Sequence, residues 1–243
     1  MTHALDIHIA EKRYDARIVL RDVGIRLRQG EVVSLIGASG CGKSSLLSIA
    51  SGLDRDFHGR IALHGRPLDG VHRDIGFIFQ EPRLFPWLTV AENVAFGGDN
   101  DAGAEKLVTR LLSEVGLREH ARALPKQLSG GQAQRAAIAR GLFSHPRVLL
   151  LDEPFSAVDA FTRMKLQDLL LKVARQRELT VLLVTHDIDE ALYLSDRIIL
   201  LDGVGAPPVT EFHPPPRPRG RGDVAQAALK SAILDRLHAV HAI

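Results

Sequence analysis

The 243-residue sequence predicts an α/β fold, a parallel or mixed sheet covered by helices. Short β-rich runs alternate with helical runs along the chain. Several β-rich runs (VVSLI, VLLLD, VLLVT and IILL) are continuously apolar, as expected for strands that are covered on both faces. A chain of this length also buries a substantial core, so it needs neither disulfides nor metals to hold it together.

The elements are predicted in chain order. We expect strands at Glu31–Ile36, Arg60–His64, Ile75–Phe79, Arg147–Asp152, Thr180–Thr185 and Arg197–Leu201. We expect helices at Lys43–Ser51, Ala104–Val115, Gly131–Phe143, Ala160–Gln176 and Ile188–Leu194. The stretch from Val90 to Gln127 lies between two β-rich segments and is mostly helical in pattern. It predicts a helical subdomain, at about residues 90–140, inserted into the sheet domain.

The C-terminal part of the sequence divides into a linker and a helix. The segment Ala206–Gly222 is rich in proline, arginine and glycine, so we expect no regular element there and treat residues 204–222 as a linker. Asp223 is a candidate cap for a last helix within residues 223–243. The apolar residues that share one face of this helix are Leu229, Ile233, Leu237 and Val240.

Composition narrows the classes of function. The formal net charge of +2 argues against a dedicated nucleic-acid-binding protein. Cys41 is the single cysteine, which excludes an intrachain disulfide and fits a reducing cytosol. The longest apolar runs, such as Val148–Leu151, are far shorter than the ~18 residues that a membrane span needs, and the N-terminus lacks a signal-peptide pattern. Membrane association is therefore expected only through a partner protein.

The segment GASGCGKSS fits the pattern Gly-x4-Gly-Lys-Ser between a predicted strand and a predicted helix. Glycines let such a loop turn its N–H groups toward phosphate oxygens, and the helix N-terminus adds partial positive charge. The alternative, a glycine-rich turn with a chance lysine, is disfavoured by this context. We expect Lys43 to bridge the β- and γ-phosphates of ATP and Ser44 to bind Mg²⁺. The candidate ATP-binding residues of the loop are Gly37, Ala38, Ser39, Gly40, Cys41, Gly42, Lys43, Ser44 and Ser45.

The run VLLLDE predicts a second part of the same site. A buried strand that ends in Asp152 delivers a carboxylate to the sheet edge, near the metal. Glu153 follows and is placed to polarise an attacking water as a general base. Alone this is a weak signal, but together with the phosphate loop it indicates a nucleotide-hydrolysing site.

The run LSGGQ, followed by AQRAAIARGL, resembles the signature motif of ABC ATPases. From the residues alone, an N-capped helix with a flexible glycine pair explains it equally well. The resemblance implies that this segment faces the γ-phosphate of an ATP bound by a second subunit. The residues concerned are Leu128, Ser129, Gly130, Gly131 and Gln132.

Further motifs of that family occur in order within residues 5–203. The resemblance implies that Gln80 approaches Mg²⁺ and the attacking water, and that Asp159, in the run SAVD, belongs to a loop that crosses a dimer interface. It also implies that His186 contacts the γ-phosphate and that Tyr14 stacks on adenine. A histidine after a strand and a lone tyrosine are also compatible with purely structural roles.

The resemblance thus implies a P-loop NTPase core of the ABC ATPase type with an N-terminal antiparallel β portion. Its implied catalytic residues are Lys43, Gln80, Glu153 and His186, and its implied metal ligands are Ser44, Gln80 and Asp152. Because Glu153 is present, we expect a subunit that hydrolyses ATP, with Mg²⁺ as the second cofactor.

The run QEPRLFPWLTVAENVAFG resembles importers of nitrate, sulfonates and taurine, in which it receives the coupling helix of a permease. Its apolar cluster, residues 84–87, can instead fill the core under the helical subdomain, and both interpretations stay open. The tail RPRGRGDVAQAALKSAILDRL resembles ATPases of aliphatic sulfonate importers. Taurine, nitrate and bicarbonate are alternative solutes. A soluble non-transport ABC ATPase and the motor of an exporter or lipoprotein-release complex are alternatives of other kinds.

The resemblance also implies the partners of the chain. They are a second ATPase subunit in a homodimer, two transmembrane permease subunits, and a periplasmic or extracellular solute-binding protein. Nucleic acid is not among them. The implied location is the cytoplasmic face of the bacterial inner membrane, as a peripheral subunit.

Overall fold

The structure is a computed structural model that describes residues 3–97, 102–202 and 209–241. The chain forms two compact units, one made of Met1–His72 with Glu178–Ile243 and the other of Arg73–Arg177. Among the described residues, every helix is too short or too polar to cross a membrane.

The first unit begins with an antiparallel sheet in the order β2-β1-β4-β5. Its strands are β1 (Leu5–Tyr14), β2 (Arg17–Leu27), β4 (His58–Leu63) and β5 (Arg66–Pro67). In β1, the side chains of Leu5, Ile7 and Ile9 are fully buried, as expected when alternate residues face a core. This sheet is the predicted N-terminal antiparallel portion.

The first unit also contains a mixed arrangement of strands in the order β10-β9-β3-β8. These strands are β3 (Val32–Gly37), β8 (Thr180–Val184), β9 (Arg197–Leu201) and β10 (Val209–Phe212). The central strand, β3, pairs in parallel with both β8 and β9. All residues of β8 and β9 are buried, which explains their continuous apolar sequence.

Three helices belong to the first unit: α1 (Lys43–Ala50), α6 (Ile188–Leu194) and α7 (Ala227–His241). Ile233 of α7 is fully buried in a cluster with Ile36, Ala191 and Ile198, and Leu229 and Leu237 pack against this cluster. The predicted apolar face of the last helix is confirmed for these three residues, while the side chain of Val240 lies outside the described residues. Asp223 accepts a hydrogen bond from the N–H of Ala225 and caps the 3₁₀ turn that precedes α7.

The expectation of no regular element in Ala206–Gly222 is wrong for β10. The run Val209–Phe212 contains neither proline nor glycine, and it pairs antiparallel with β9, the strand that precedes it in the chain. Glu211 of β10 accepts a hydrogen bond from Arg197 of β9 at 3.0 Å. Pro214, Pro215 and Pro216 follow this edge strand without preventing it, and residues 206–208 of the segment lie outside the described residues.

The second unit contains two parallel strands, β6 (Ile75–Ile78) and β7 (Val148–Asp152). Between them in the chain lie α2 (Val90–Ala95), α3 (Ala102–Glu114) and α4 (Gly130–Phe143), which pack on one another. The unit ends with α5 (Ala160–Gln176). These helices between β6 and β7 correspond to the predicted helical insertion.

The sequence pattern located the predicted elements closely. The bounds of α5, α6 and β9 agree with the predicted bounds, and the other predicted helices and strands differ by one or two residues at an end. Differences of this size are normal for element ends, where hydrogen bonding frays.

We predict that Ile233→Ala lowers the free energy of unfolding by ~2–5 kcal/mol, because it leaves a cavity in the core cluster. The matched control is Leu234→Ala in the same helix, where 37% of the side chain is exposed. This control should change stability by about 0.5 kcal/mol or less. Urea denaturation of both variants measures the difference, and equal losses would contradict the proposed docking of α7.

Candidate nucleotide-binding site

The phosphate loop joins the end of β3 to the start of α1. Gly42, the residue before α1, has φ of +102°, and its position at the N-cap leaves the helix without a side-chain cap among the described residues. A Cβ at Gly42 would lie 2.6 Å from a methyl carbon of Leu20, so both conformation and space require glycine. The first turn of α1 contains no acidic residue, so its N–H groups and partial positive charge remain suited to an anion.

Lys43 lies over this loop and is 8% exposed. Its ammonium group donates hydrogen bonds to the carbonyl oxygens of Gly37 at 2.9 Å and Ala38 at 2.7 Å. Burial raises the pKa of the nearby Cys41 thiol, although the charge of Lys43 opposes the rise. The thiol therefore adds no negative charge to a loop that is otherwise suited to phosphate. Ser39, Gly40 and Ser44 are exposed along the same loop.

His186 lies at the same edge of the first unit as the phosphate loop. Leu35 of β3 pairs with Val184 of β8, so the parallel strands end side by side. The N–H of Thr185 extends this pairing by donating to the carbonyl of Leu35. His186 follows, exposed, and Asp187 caps α6 by accepting from the N–H of Glu190 at 3.1 Å.

Tyr14 ends β1 and reaches the phosphate loop. Its hydroxyl lies 3.3 Å from the hydroxyl of Ser45 and donates to a carboxylate oxygen of Asp54 at 3.4 Å. Half of the tyrosine remains exposed. The predicted adenine-stacking residue is therefore beside the predicted phosphate-binding residues.

In the second unit, the carboxyl ends of β6 and β7 bring Gln80, Asp152 and Glu153 to one edge. Ile78 pairs in parallel with Leu151, so the residues that follow each strand emerge side by side. The amide of Gln80 donates to Ser156 at 3.3 Å, and Ser156 donates to the carbonyl of Glu153 at 3.0 Å. A serine that the sequence analysis did not single out thus connects two predicted catalytic residues.

Glu153 has an unusual backbone conformation, with φ of +42°. A residue with a side chain rarely adopts this region, and the strain costs about 1–3 kcal/mol. Such strain is common at functional sites, where the surrounding structure fixes the direction of a side chain. Here the strained residue directly follows Asp152, the last residue of β7.

The signature segment begins α4 with a capping box. Ser129 accepts from the N–H of Gln132 at 3.3 Å, and the side-chain oxygen of Gln132 accepts from the N–H of Ser129 at 2.8 Å. The side-chain nitrogen of Gln132 lies 2.9 Å from His120 Nε2. Leu128 precedes the cap and is partly buried, whereas Ser129 and Gly130 are exposed.

Gly131 is buried where α4 approaches α5. A Cβ there would lie 2.4 Å from the Thr162 methyl, so the glycine permits close packing of the two helices. Asp159 caps α5 by accepting from the N–H of Thr162 at 3.0 Å. Hydrogen bonds from Thr162 lower the pKa of Asp159, which is therefore a charged cap.

The loop that follows Gln80 is held from two sides. The buried side chain of Asn93 accepts from the N–H of Phe85 at 2.7 Å and donates to the carbonyl of Leu88 at 3.0 Å. Arg140 of α4 donates to the carbonyls of Pro82 and Arg83, both at 2.7 Å. The loop is therefore fixed although most of it lies at the surface.

The apolar cluster Leu84, Phe85, Pro86 and Trp87 is divided between the interior and the surface. Leu84 and Phe85 are partly buried, whereas Pro86 is exposed and Trp87 is 71% exposed. The core-filling interpretation is therefore wrong for Trp87. The Trp87 ring packs on Phe85, with ring centroids 5.6 Å apart, and Phe85 packs on the exposed Phe96 at 4.2 Å. These rings form an exposed aromatic patch.

Sequence reasoning missed several residues that support the site. They are Lys12, Asp54, Asn93, His120, Arg140 and Ser156. A polar residue within an apolar run is the only sequence signal for Asn93. Lys12 with Asp54, Arg140, and Ser156 in its contact with Gln80 join segments far apart in the chain, which periodicity and spacing cannot indicate.

The buried parallel strand, the glycine-rich loop and the helix at Lys43 define a P-loop nucleotide-binding domain. Residues 20–156, more than half of the chain, match the protein family described as ABC transporter. The chain belongs to the ABC transporter family. The predicted family and fold class are thereby confirmed.

Relatives in sequence and structure agree with this assignment. The "Aliphatic sulfonates import ATP-binding protein SsuB 1" of Xanthomonas axonopodis pv. citri is 59% identical, with 98% of this chain and 97% of that protein covered. The SsuB 2 protein of Pseudomonas syringae pv. tomato is 52% identical, with 98% and 100% covered. Among solved structures, cbiO1 from Clostridium perfringens, part of the ABC transporter complex cbiONQ, has a TM-score of 0.75 at 28% identity, with 82% and 85% covered.

A second solved structure is an ATP-binding cassette dimer in a post-hydrolysis state, bound to ADP and Pi. It has a TM-score of 0.75 at 32% identity, with 88% of this chain and 100% of that chain covered. This identity and coverage support the comparison of individual motifs as well as of the fold.

We predict that Trp87→Ala changes the free energy of unfolding by about 0.5 kcal/mol or less, because the indole is mostly exposed. Phe155→Ala in the same unit is the control, since Phe155 is 1% exposed and its truncation should cost about 3–5 kcal/mol. Thermal melting of the isolated chain compares the two. A large loss for Trp87→Ala would mean that the indole supports the fold.

Proposed function

We propose that the chain is the ATP-hydrolysing subunit of an ABC importer, which couples ATP binding and hydrolysis to uptake of aliphatic sulfonates. The observation that carries this proposal is the loop after β3, with Lys43 over it and an uncapped helix N-terminus behind it. Family membership and the relatives' names give the rest of the support.

The first unit supplies the groups that we assign to ATP. The N–H groups of residues 37–45 would surround the phosphates, and the ammonium of Lys43 would neutralise the β- and γ-phosphates. It would exchange its two carbonyl contacts for phosphate oxygens. Tyr14 would stack on the adenine, since it is half exposed and its hydroxyl lies near Ser45.

The residues assigned to Mg²⁺ offer oxygen ligands only: the Ser44 hydroxyl, the Gln80 amide oxygen and the Asp152 carboxylate. Mg²⁺ prefers such hard ligands and is normally held by one or two carboxylates together with substrate phosphates, so the residues fit this ion. When bound, the ion would offset negative charge on the phosphate oxygens. The chain's contribution is to present these oxygens at the ends of α1, β6 and β7.

Glu153 is assigned as the general base. It follows Asp152 at the end of β7, its backbone has a strained φ of +42°, and its carboxylate would accept a proton from the attacking water. His186, exposed after β8, would donate a hydrogen bond to the γ-phosphate. Gln80, tied to the Glu153 carbonyl through Ser156, would help to orient the water.

The complete site is proposed to need a second copy of the chain. Ser129 and Gly130 are exposed at the start of α4, where the helix N-terminus favours an anion. They would contact the γ-phosphate of an ATP held by the partner's phosphate loop, and Asp159 would lie in the loop that crosses the interface. The dimeric relative bound to ADP and Pi supports this arrangement.

The remaining partners follow from the importer assignment. We propose two transmembrane permease subunits, which would dock on the aromatic patch of Phe85, Trp87 and Phe96, and a periplasmic or extracellular solute-binding protein. The chain would then lie on the cytoplasmic face of the bacterial inner membrane. Taurine, nitrate and bicarbonate remain alternative solutes, because this subunit has no contact with the solute.

The test is reconstitution of the chain with the permease that co-purifies with it from solubilised membranes. ATP hydrolysis should rise when the binding protein is loaded with an alkanesulfonate. If only taurine or nitrate stimulates ATP hydrolysis, that compound and not an alkanesulfonate is the solute. Recovery of the chain without any membrane protein would favour a soluble non-transport ATPase.

We predict that Glu153→Gln keeps ATP binding but slows hydrolysis by roughly 10²–10⁴-fold, since the base is lost while the shape stays. Phosphate release by the reconstituted transporter measures the rate. Glu178→Gln is the control, because Glu178 is a surface carboxylate that also has positive φ. Turnover of Glu153→Gln near that of the unmodified protein would remove Glu153 from this role.

We predict that Ser129→Arg leaves ATP binding by the monomer intact and prevents ATP-driven dimer formation, because the new side chain fills the space assigned to the partner's γ-phosphate. Ser129→Ala is the comparison variant: it removes the hydroxyl, and with it the cap at a cost of about 1 kcal/mol, but adds no bulk at the interface. Sedimentation with ATP in a Glu153→Gln background compares them. Equal dimerisation of both variants would contradict the assignment of Ser129.

A further inference from the structure

Lys12 is a buried cation that has no role in the mechanism above. Its side chain is only 2% exposed, although it lies on β1 two residues before Tyr14. The Lys12 ammonium lies 2.9 Å from the carboxylate of Asp54 and donates to the backbone carbonyl of Asp56 at 2.6 Å. A lysine is rarely buried to this degree unless it is paired.

The charge of Lys12 is maintained by these partners. Burial alone would lower the pKa of Lys12, but the hydrogen bonds and charges of Asp54 and Asp56 outweigh burial and raise it. Asp54 is the partner that holds the Lys12 ammonium in place, because the Asp54 side chain is only 19% exposed. The Asp56 side chain is 96% exposed and is therefore held less firmly. Lys12 and Asp54 therefore form a charged pair of defined position.

This pair contacts Tyr14 from two directions. The Lys12 ammonium lies 4.6 Å from the centroid of the Tyr14 ring, which is the distance of a cation–π contact. The Tyr14 hydroxyl donates to Asp54, at 3.4 Å, and lies beside Ser45 of the phosphate loop. One ring face is thus covered by a cation and the hydroxyl end is tied down, while half of the residue stays exposed.

We propose that Lys12, held by Asp54, is a positioning residue that fixes the Tyr14 ring for stacking on the purine base of a nucleoside triphosphate. This inference rests on the proposed ATP site. The ammonium covers one face of the ring, so the base stacks on the other. An aromatic ring that is already fixed loses less conformational entropy when the base binds.

The effect should be specific to the base. An aromatic contact of this kind corresponds to about a two- to tenfold change in affinity. Lys12→Met, which keeps the length and apolar stem, should weaken binding of ATP by about this factor. Binding of inorganic tripolyphosphate, which contacts only the phosphate loop, should not change.

The experiment is calorimetric titration of the full chain with ATP and with tripolyphosphate, using Lys12→Met, Tyr14→Ala and the double variant. Asp54→Asn also removes the charged pair and should weaken ATP binding in the same way. It replaces Lys12→Met if that variant does not fold. Lys126→Met, at an exposed position, is the control. In the Tyr14→Ala background, Lys12→Met should cause no further loss, since the two residues act as one unit.

Each outcome separates this inference from the proposed function. If Tyr14→Ala weakens ATP binding and Lys12→Met does not, the positioning role is wrong and the ATP site stands. Equal losses for ATP and tripolyphosphate, or losses that add in the double variant, show a merely structural lysine and also overturn it. If Tyr14→Ala leaves ATP affinity unchanged, adenine stacking itself is wrong, and the role of Lys12 is wrong with it.

Discussion

The parallel pairing of β3 with β8 and β9 brings the phosphate loop and His186, two candidate parts of the nucleotide site, to one edge of the first unit. These strands are buried along almost their whole length, so most of their side chains are apolar. The candidate functional residues lie just beyond the strand ends. Parallel strands end at the same edge of the sheet, so segments that are far apart in the chain meet there. The phosphate loop after β3 and His186 after β8 occupy that edge, and the shorter pair β6 and β7 presents Gln80 and Asp152 in the same way.

The orientation of these groups depends on the loops after the strands as well as on the strands. Gly42 and Glu153, which lie in these loops, have positive φ angles. Gly42 takes a φ that favours glycine in a space that excludes a methyl group. Glu153 takes a positive φ without being glycine. Because such strain persists only where the surroundings enforce it, the hydrogen bonds from Ser156 to the Glu153 carbonyl help to hold this conformation.

The sequence predicted the elements well because each contains its own periodic signal. The 17-residue α5 has caps and apolar spacing that set both of its ends. The short edge strand β10 was missed, since its neighbouring prolines obscured a four-residue run, with Val209, Thr210 and Phe212 favouring β structure, that needs β9 as a partner. The site motifs are local in sequence and were found, whereas Lys12 and Arg140 act across 42 and 57 residues and were not. The exposure of Trp87 could not be predicted either, because composition does not indicate which aromatic residue of a cluster faces the solvent.

The exposed aromatic patch is held rigidly by the residues around it. Association loses affinity for each loop that must be ordered on binding. Here Asn93 fixes the loop at Phe85 and Leu88, and Arg140 fixes it at Pro82 and Arg83, so Trp87 is held outward before any partner arrives. Arg140 lies near the end of α4, whose other end is the signature segment. The contact that fixes the loop and the signature segment therefore lie at opposite ends of one helix, α4.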